Sequence, residues 1–267
     1  MTEPSNNVIP LSEECSFDKT KRTCDYKCFA CTFFHGLPNG GRGGLWATTG
    51  VPKKYLGVRV STLPFAEDNE KAHLTITRYA ENILKNVQEK NIGLFLYSVP
   101  TPTNELGTGT GKTTGATAIV NEYVIQRGKS FLKGEQDMKE NPALFVRTSE
   151  LQGHFNAQFR GNKALQEESS RKYYQLKREI QRRELVVFDD IATRGTRISE
   201  AWEEELYQMI DYRASMMDSG ATIFTTNVNS NQIPELLGHR IASRIEGMAL
   251  PVGFTGSDKR REALLGG

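Results

Sequence analysis

Two short stretches in a fixed order constrain the fold of this chain more than any other feature. They are the glycine-rich GTGKT at 109–113 and the apolar run LVVFDD at 185–190, which ends in two carboxylates. A loop of the first kind holds phosphate only where it joins a buried strand to the N-terminus of a helix. There the backbone N–H groups are unpaired and the helix dipole favours an anion. Both neighbours are present: IGLFLYSV (92–99) is an apolar run of strand length, and Ala116, Ile119, Val120, Tyr123 and Val124 recur at helical spacing after Lys112. Gly128 is placed to end that helix. In such a loop Gly109 and Gly111 permit close approach of the backbone to phosphate. Lys112 reaches the β- and γ-phosphates of a nucleotide, the Thr113 hydroxyl holds Mg2+, and Thr110 and Thr114 complete the contact set.

The loop departs from the usual spacing at one point. A full phosphate-loop motif places its first glycine where this chain has Leu106. Taking Ser98 as the first-glycine position leaves TPTNELGT (101–108) as an insertion. Lengthening a flexible loop costs about a kcal/mol or less, because closure entropy grows slowly with length.

LVVFDD supplies the second half of a nucleotide site. Asp189 is placed to hold Mg2+ through water and Asp190 to polarise an attacking water. The bland alternative is a turn after a core strand. ATIFTTN (221–227) is a further strand ending in Asn227, a polar tip that resembles the sensor residue of AAA+ proteins, which orients water near a γ-phosphate; the alternative is an Asn in a turn. ALFVRT (143–148) adds a strand, and SELQGHFNAQF, SRKYYQLKREIQRR and SEAWEEELYQMIDYRASMM read as helices between the strands. This alternation predicts an α/β fold, a parallel sheet covered by helices on both faces.

In this order the motifs resemble the DnaC/DnaI-type helicase loaders and the related IstB transposition helpers. VPKKYLGVRVSTL, a helix, GLFLY, GTGKT, FVRTSEL, LVVFDDI, TIFTTN and the closing SRI and PV segments carry the likeness over roughly residues 51–262. The resemblance implies an AAA+ P-loop ATPase core over 53–262, with Lys112, Asp189, Asp190 and Asn227 serving catalysis. It implies self-association through the ATP sites, where Arg244, or Arg240 one turn earlier, reaches the neighbouring subunit's nucleotide. Only about 20 residues follow Arg244, too few for the helical lid of most AAA+ proteins. Asp190 stands where many relatives carry Glu, and the 101–108 insertion is a second departure. The implied function is ATP-dependent loading of a hexameric replicative helicase onto single-stranded DNA. A transposition helper, or an ATP-gated DNA-binding scaffold without hydrolysis, is the alternative.

All four cysteines, Cys15, Cys24, Cys28 and Cys31, fall in the first 31 residues, as CSFDKTKRTCDYKCFAC. No apolar run approaches the ~18 residues of a membrane span, and MTEPSNNVIP is no signal peptide, so a cytoplasmic protein with no membrane partner is expected. In a reducing compartment clustered thiols point to Zn2+ rather than disulfides, with free thiols or His35 in place of one cysteine as alternatives. Residues 1–35 are therefore expected as a zinc-binding head, which the resemblance makes the helicase-contacting domain, with a nucleic-acid-binding zinc ribbon as the competing reading, and 36–52 as a Gly-rich linker or extended connection. With a formal net charge of +2, any nucleic-acid footprint has to be local. Residues 151–183 hold eight Arg or Lys against three Glu, with Phe155, Phe159, Tyr173 and Tyr174 among them. Such interleaving suits single-stranded DNA, although Tyr173, Leu176 and Ile180 also have the spacing of a core face.

Overall fold

A computed structural model describes residues 33–34, 44–55, 58–65, 67–138, 140–216 and 220–259. The apolar runs form strands β1 (Gly93–Ser98), β2 (Ala143–Arg147), β3 (Leu185–Asp189), β4 (Ala221–Thr225) and β5 (Ala249–Phe254) of one parallel sheet, in the order β2-β3-β4-β1-β5. Side chains alternate across such a sheet, so a strand covered on both faces needs apolar residues at successive positions. Leu94, Leu96, Phe145, Val187 and Ile223 enter one core, under α1 (Glu70–Glu81) and α2 (Lys112–Leu132). Phe95, Leu144, Val146, Val186, Phe188 and Phe224 enter the other. That second core is closed by α3 (Thr148–Ala157), α4 (Lys163–Arg182), α5 (Glu200–Ser215), α6 (Ile233–Leu237) and α7 (His239–Met248). β4 is buried at every position. It separates β1, which leads to the phosphate loop, from β3, which ends in Asp189.

Both sheet edges are blunted. Thr49 O accepts a hydrogen bond from Phe145 N of β2 at 2.6 Å, and β5 carries Pro251, which has no N–H to offer.

One expectation is overturned. The helix after the loop does not end at Gly128 but runs on to Leu132. Glycine is needed there because the Phe34 ring occupies the space a Cβ would take, and Phe33 stacks on Phe131 nearby at 5.3 Å. The described part of the 36–52 connection, residues 44–52, packs on the fold. Trp46 and Val51 are buried in the first core, and the Trp46 indole donates to Asn121 Oδ1 on α2 at 3.2 Å. Asn121 in turn donates to the carbonyls of Tyr55 and Val58, each at 2.9 Å, so one buried amide fixes the whole entry segment.

Arg213 on α5 is buried and held by backbone carbonyls and a hydroxyl. It donates to Ile180 O (2.7 Å) and Arg183 O (2.9 Å) at the C-terminal end of α4, and to Ala221 O (2.8 Å) and Thr222 Oγ1 (2.7 Å) of β4. The negative end of the α4 dipole helps to hold this cation. Burial pushes its pKa down to about 9, which leaves it charged at neutral pH. Arg213→Ala orphans three carbonyls and leaves a cavity, and is expected to lower stability by about 3–5 kcal/mol in urea unfolding.

Candidate functional site

β1 ends at Ser98, and the chain makes an excursion before the phosphate loop. Thr101 and Asn104 close a tight turn through reciprocal backbone hydrogen bonds of 3.3 and 3.0 Å, and Gly107 N then donates to Asn104 O at 3.1 Å. Gly107, Gly109 and Gly111 follow with φ of 60°, 68° and 102°, a left-handed run that L side chains resist. Ser98 Oγ donates to Gly107 O at 2.7 Å, and a Cβ on Gly107 would overlap the Ser98 side chain. Gly107 therefore opens the cradle and Ser98 lies beneath it. The expected 101–108 insertion is in fact shorter, because residues 107 and 108 belong to the loop itself. Lys112 Nζ folds back over the loop, donating to Gly107 O (2.8 Å) and Thr110 Oγ1 (3.1 Å). Among the described residues no hydrogen bond engages the N–H groups of Gly109, Thr110, Gly111 or Thr113, which lie at the start of α2, where free N–H groups suit an anion.

The carboxylates meet this loop through β4. Asp189 Oδ1 accepts from Thr113 Oγ1 at 3.0 Å and from Thr225 Oγ1 at 2.8 Å. Thr225 Oγ1 also accepts from Asp190 N at 2.9 Å. Asp190 adopts φ 55°, a left-handed turn that Asp tolerates, and its Oδ1 accepts from Asn227 Nδ2 at 3.1 Å. Thr113, Asp189, Asp190 and Asn227 are thus brought together as expected. Thr225 was not anticipated. Its only signal in the sequence is its position as the last residue of an apolar strand. The donor set fits a magnesium nucleotide: oxygen ligands from Thr113 and Asp189 suit a hard cation, and unpaired N–H groups suit phosphate.

No protein-family model and no curated protein matches the sequence, but solved structures match the fold. The crystal structure of the DnaC helicase loader superposes with a TM-score of 0.52 at 22% identity, covering 76% of this chain and 100% of that one. DnaI gives 0.53 at 20% identity, covering 76% and 94%. The replication initiator DnaA bound to AMPPCP and single-stranded DNA gives 0.50 at 15% identity, covering 81% and 56%. This chain shares the α/β fold of these solved structures.

Within that fold the two arginines of α7 lie away from the chain's own carboxylate cluster in their bonding. Arg244 pairs with Asp211 at 2.7 Å and Arg240 with Glu204 at 3.0 Å, both on α5. The Arg240 guanidinium also lies 3.6 Å from the Tyr207 ring centroid. In the 151–183 stretch, Phe155 and Tyr173 are core residues, whereas Phe159 and Tyr174 are 71% and 51% exposed. These two line a groove of about 590 Å³ with Arg171 and Arg178. Cys15, Cys24, Cys28 and Cys31 lie outside the described residues, as do His35, Arg260 and Arg261. Among the described residues no group of three or more His, Cys, Asp or Glu side chains gathers to hold a metal, and no helix is long and apolar enough to cross a membrane.

The 107–113 loop is held from outside by Phe65, whose buried ring occupies the place of a Cβ on Gly111 and meets Phe254 edge-on at 5.1 Å. Gly134 has a similar φ of 72° with open space around it. Gly134→Ala is expected to cost the ~1 kcal/mol of a left-handed alanine, and Gly111→Ala at least ~2 kcal/mol because Phe65 must also move. Paired denaturant titrations measure the difference.

Proposed function

We propose that this chain is an ATPase that loads a replicative DNA helicase onto single-stranded DNA. The observation that carries the reading is the convergence of Thr113, Asp189, Asp190 and Asn227 at one end of the sheet, on a fold shared with the DnaC helicase loader and DnaI. The nucleotide-bound DnaA relative, which also holds single-stranded DNA, supports ATP as ligand.

In this reading Lys112 exchanges Gly107 O and Thr110 Oγ1 for the β- and γ-phosphates, while Gly109 to Thr114 cradle them. Thr113 and Asp189 would hold Mg2+, which supplies neutralisation of charge on the phosphate oxygens. Asp190, oriented by Asn227, takes a proton from the attacking water as the new oxygen–phosphorus bond forms and the bond to ADP breaks. Thr225 keeps Asp189 and Asp190 in register. Arg244 is offered to the ATP of the neighbouring subunit, with Arg240 one turn away, and its surface ion pair is weak enough to exchange for phosphate. The cysteines at 15, 24, 28 and 31 would bind Zn2+ in a head that grips a hexameric helicase in the cytoplasm. Exposed Phe159 and Tyr174, with Arg171 and Arg178, suit stacked bases and their phosphates.

Lys112→Ala is expected to weaken ATP binding at least ~10-fold and to abolish the ATP-dependent complex with a hexameric replicative helicase, read by native mass spectrometry. Unchanged ATP affinity and an unchanged complex would overturn the proposal.

Phe159→Ala and Tyr174→Ala are each expected to lower affinity for single-stranded DNA by about 1–3 kcal/mol without altering the salt dependence. Arg178→Ala should reduce the slope of log K against log salt by ~0.7. Fluorescence titrations at several salt concentrations separate the two effects.

A further inference from the structure

After β5 the chain turns back across the phosphate loop as residues 255–259. The segment is anchored at both ends by groups other than its own acid. Asn69, the buried N-cap of α1, donates to Thr255 O at 2.9 Å and accepts from Thr255 N at 2.7 Å. Asn104, in the excursion before the loop, donates to Gly256 O at 3.0 Å and to Thr108 O at 2.8 Å. Lys259 pairs with Asp68.

Held in this way, the segment touches the loop at two adjacent residues. Thr108 Oγ1 donates to Asp258 Oδ2 at 2.9 Å, and Lys259 N donates to Gly109 O at 3.2 Å. The other carboxylate oxygen, Oδ1, fills the space that a Cβ on Gly109 would occupy. Gly109 is therefore constrained twice, by its left-handed φ of 68° and by the carboxylate packed on it. Thr108 and Gly109 immediately precede the N–H groups that face a bound phosphate. Their conformation decides whether those groups point inward before a ligand arrives.

We propose that Asp258 is a positioning residue for the nucleotide: its carboxylate, through Thr108 and against Gly109, holds the phosphate loop in its open, anion-ready shape. The inference rests on the nucleotide-binding reading of the loop. Preorganisation of this kind raises affinity by removing the entropy cost of ordering the loop at the moment of binding. A carboxylate so close to a phosphate site also repels the ligand, so the two effects have opposite signs on affinity and the experiment separates them.

Calorimetric titration of the full chain with magnesium ATP tests it. Asp258→Ala is expected to raise Kd about tenfold, the loss of a charge-assisted hydrogen bond. Asp258→Asn, which keeps an acceptor for Thr108, should recover affinity to within about threefold of wild type. Thr108→Val should match Asp258→Ala, and the double variant should be no weaker than either single one. The melting temperature of the nucleotide-free protein should stay close to wild type in all of them, since Asn69 and Asn104 anchor the segment. Equal or tighter ATP binding by Asp258→Ala, or no recovery in the Asn variant, overturns the proposal while leaving the nucleotide reading intact. A wild-type chain that binds no ATP overturns both.

Discussion

The hydroxyl of Thr225 is the contact on which the geometry of the candidate site depends. It donates to Asp189 and accepts from Asp190 N, so a single oxygen at the tip of β4 sets the positions of both carboxylates. It can do so only because β4 lies between β1 and β3 in the sheet. The register Leu96↔Thr225 beside Phe188↔Phe224 brings the ends of all three strands to one level. Phosphate loop, bridging hydroxyl and carboxylates are then successive along the sheet edge. A sheet with β1 directly beside β3 would leave no residue in the bridging place.

The loop itself is shaped by elements far from it in the chain. Phe65, from the segment before α1, fills the space beside Gly111, and Ser98 supports Gly107 from the end of β1. Phe254 of β5 backs Phe65. Three glycines in left-handed conformations are costly to order, because glycine loses more backbone freedom than any other residue. The surrounding packing offsets that cost, and each of these neighbours comes from a different part of the sequence. The entry segment belongs to the same scaffold: the Trp46 indole and the carbonyls of Tyr55 and Val58 are tied through Asn121 to the helix that the loop begins.

What was legible in the sequence follows from the range of the forces involved. GTGKT and LVVFDD are local patterns, and their chemistry needs those residues side by side, so they could be read directly, as could the apolar runs that became strands. Asn227 stands out as the polar tip of a strand in the right chain order, but its contact with Asp190 comes only from the fold. Thr225 was hidden because its role arises from strand register, which no window of sequence contains. Gly128 looked like a helix end, yet it is a helix-interior glycine that makes room for the Phe34 ring, a contact across more than ninety residues. Five glycines from Gly36 to Gly44 suggested a linker or extended connection, and the packing of the Trp46 indole two residues later in the core is not visible in that composition. Spacing counted back from Lys112 missed Gly107, because Lys112 meets the carbonyl of Gly107 through a loop fold rather than a fixed count.

Three arginines show how burial separates roles that the side chain alone does not. Arg213 is wholly buried and donates to carbonyls at the end of α4 and on β4, so moving it would orphan several carbonyls at once. Its place is in the scaffold. Arg240 and Arg244 carry the same group on the surface of α7, 60% and 45% exposed, and pair with acids that are themselves partly solvated. Exposed pairs of this kind are worth ~0–1 kcal/mol, so either guanidinium can leave Asp211 or Glu204 at little cost. Under the proposed function, a phosphate group presented by a second subunit would compete with those acids on favourable terms. Tyr207, stacked on Arg240, keeps that side chain ordered at the surface until then.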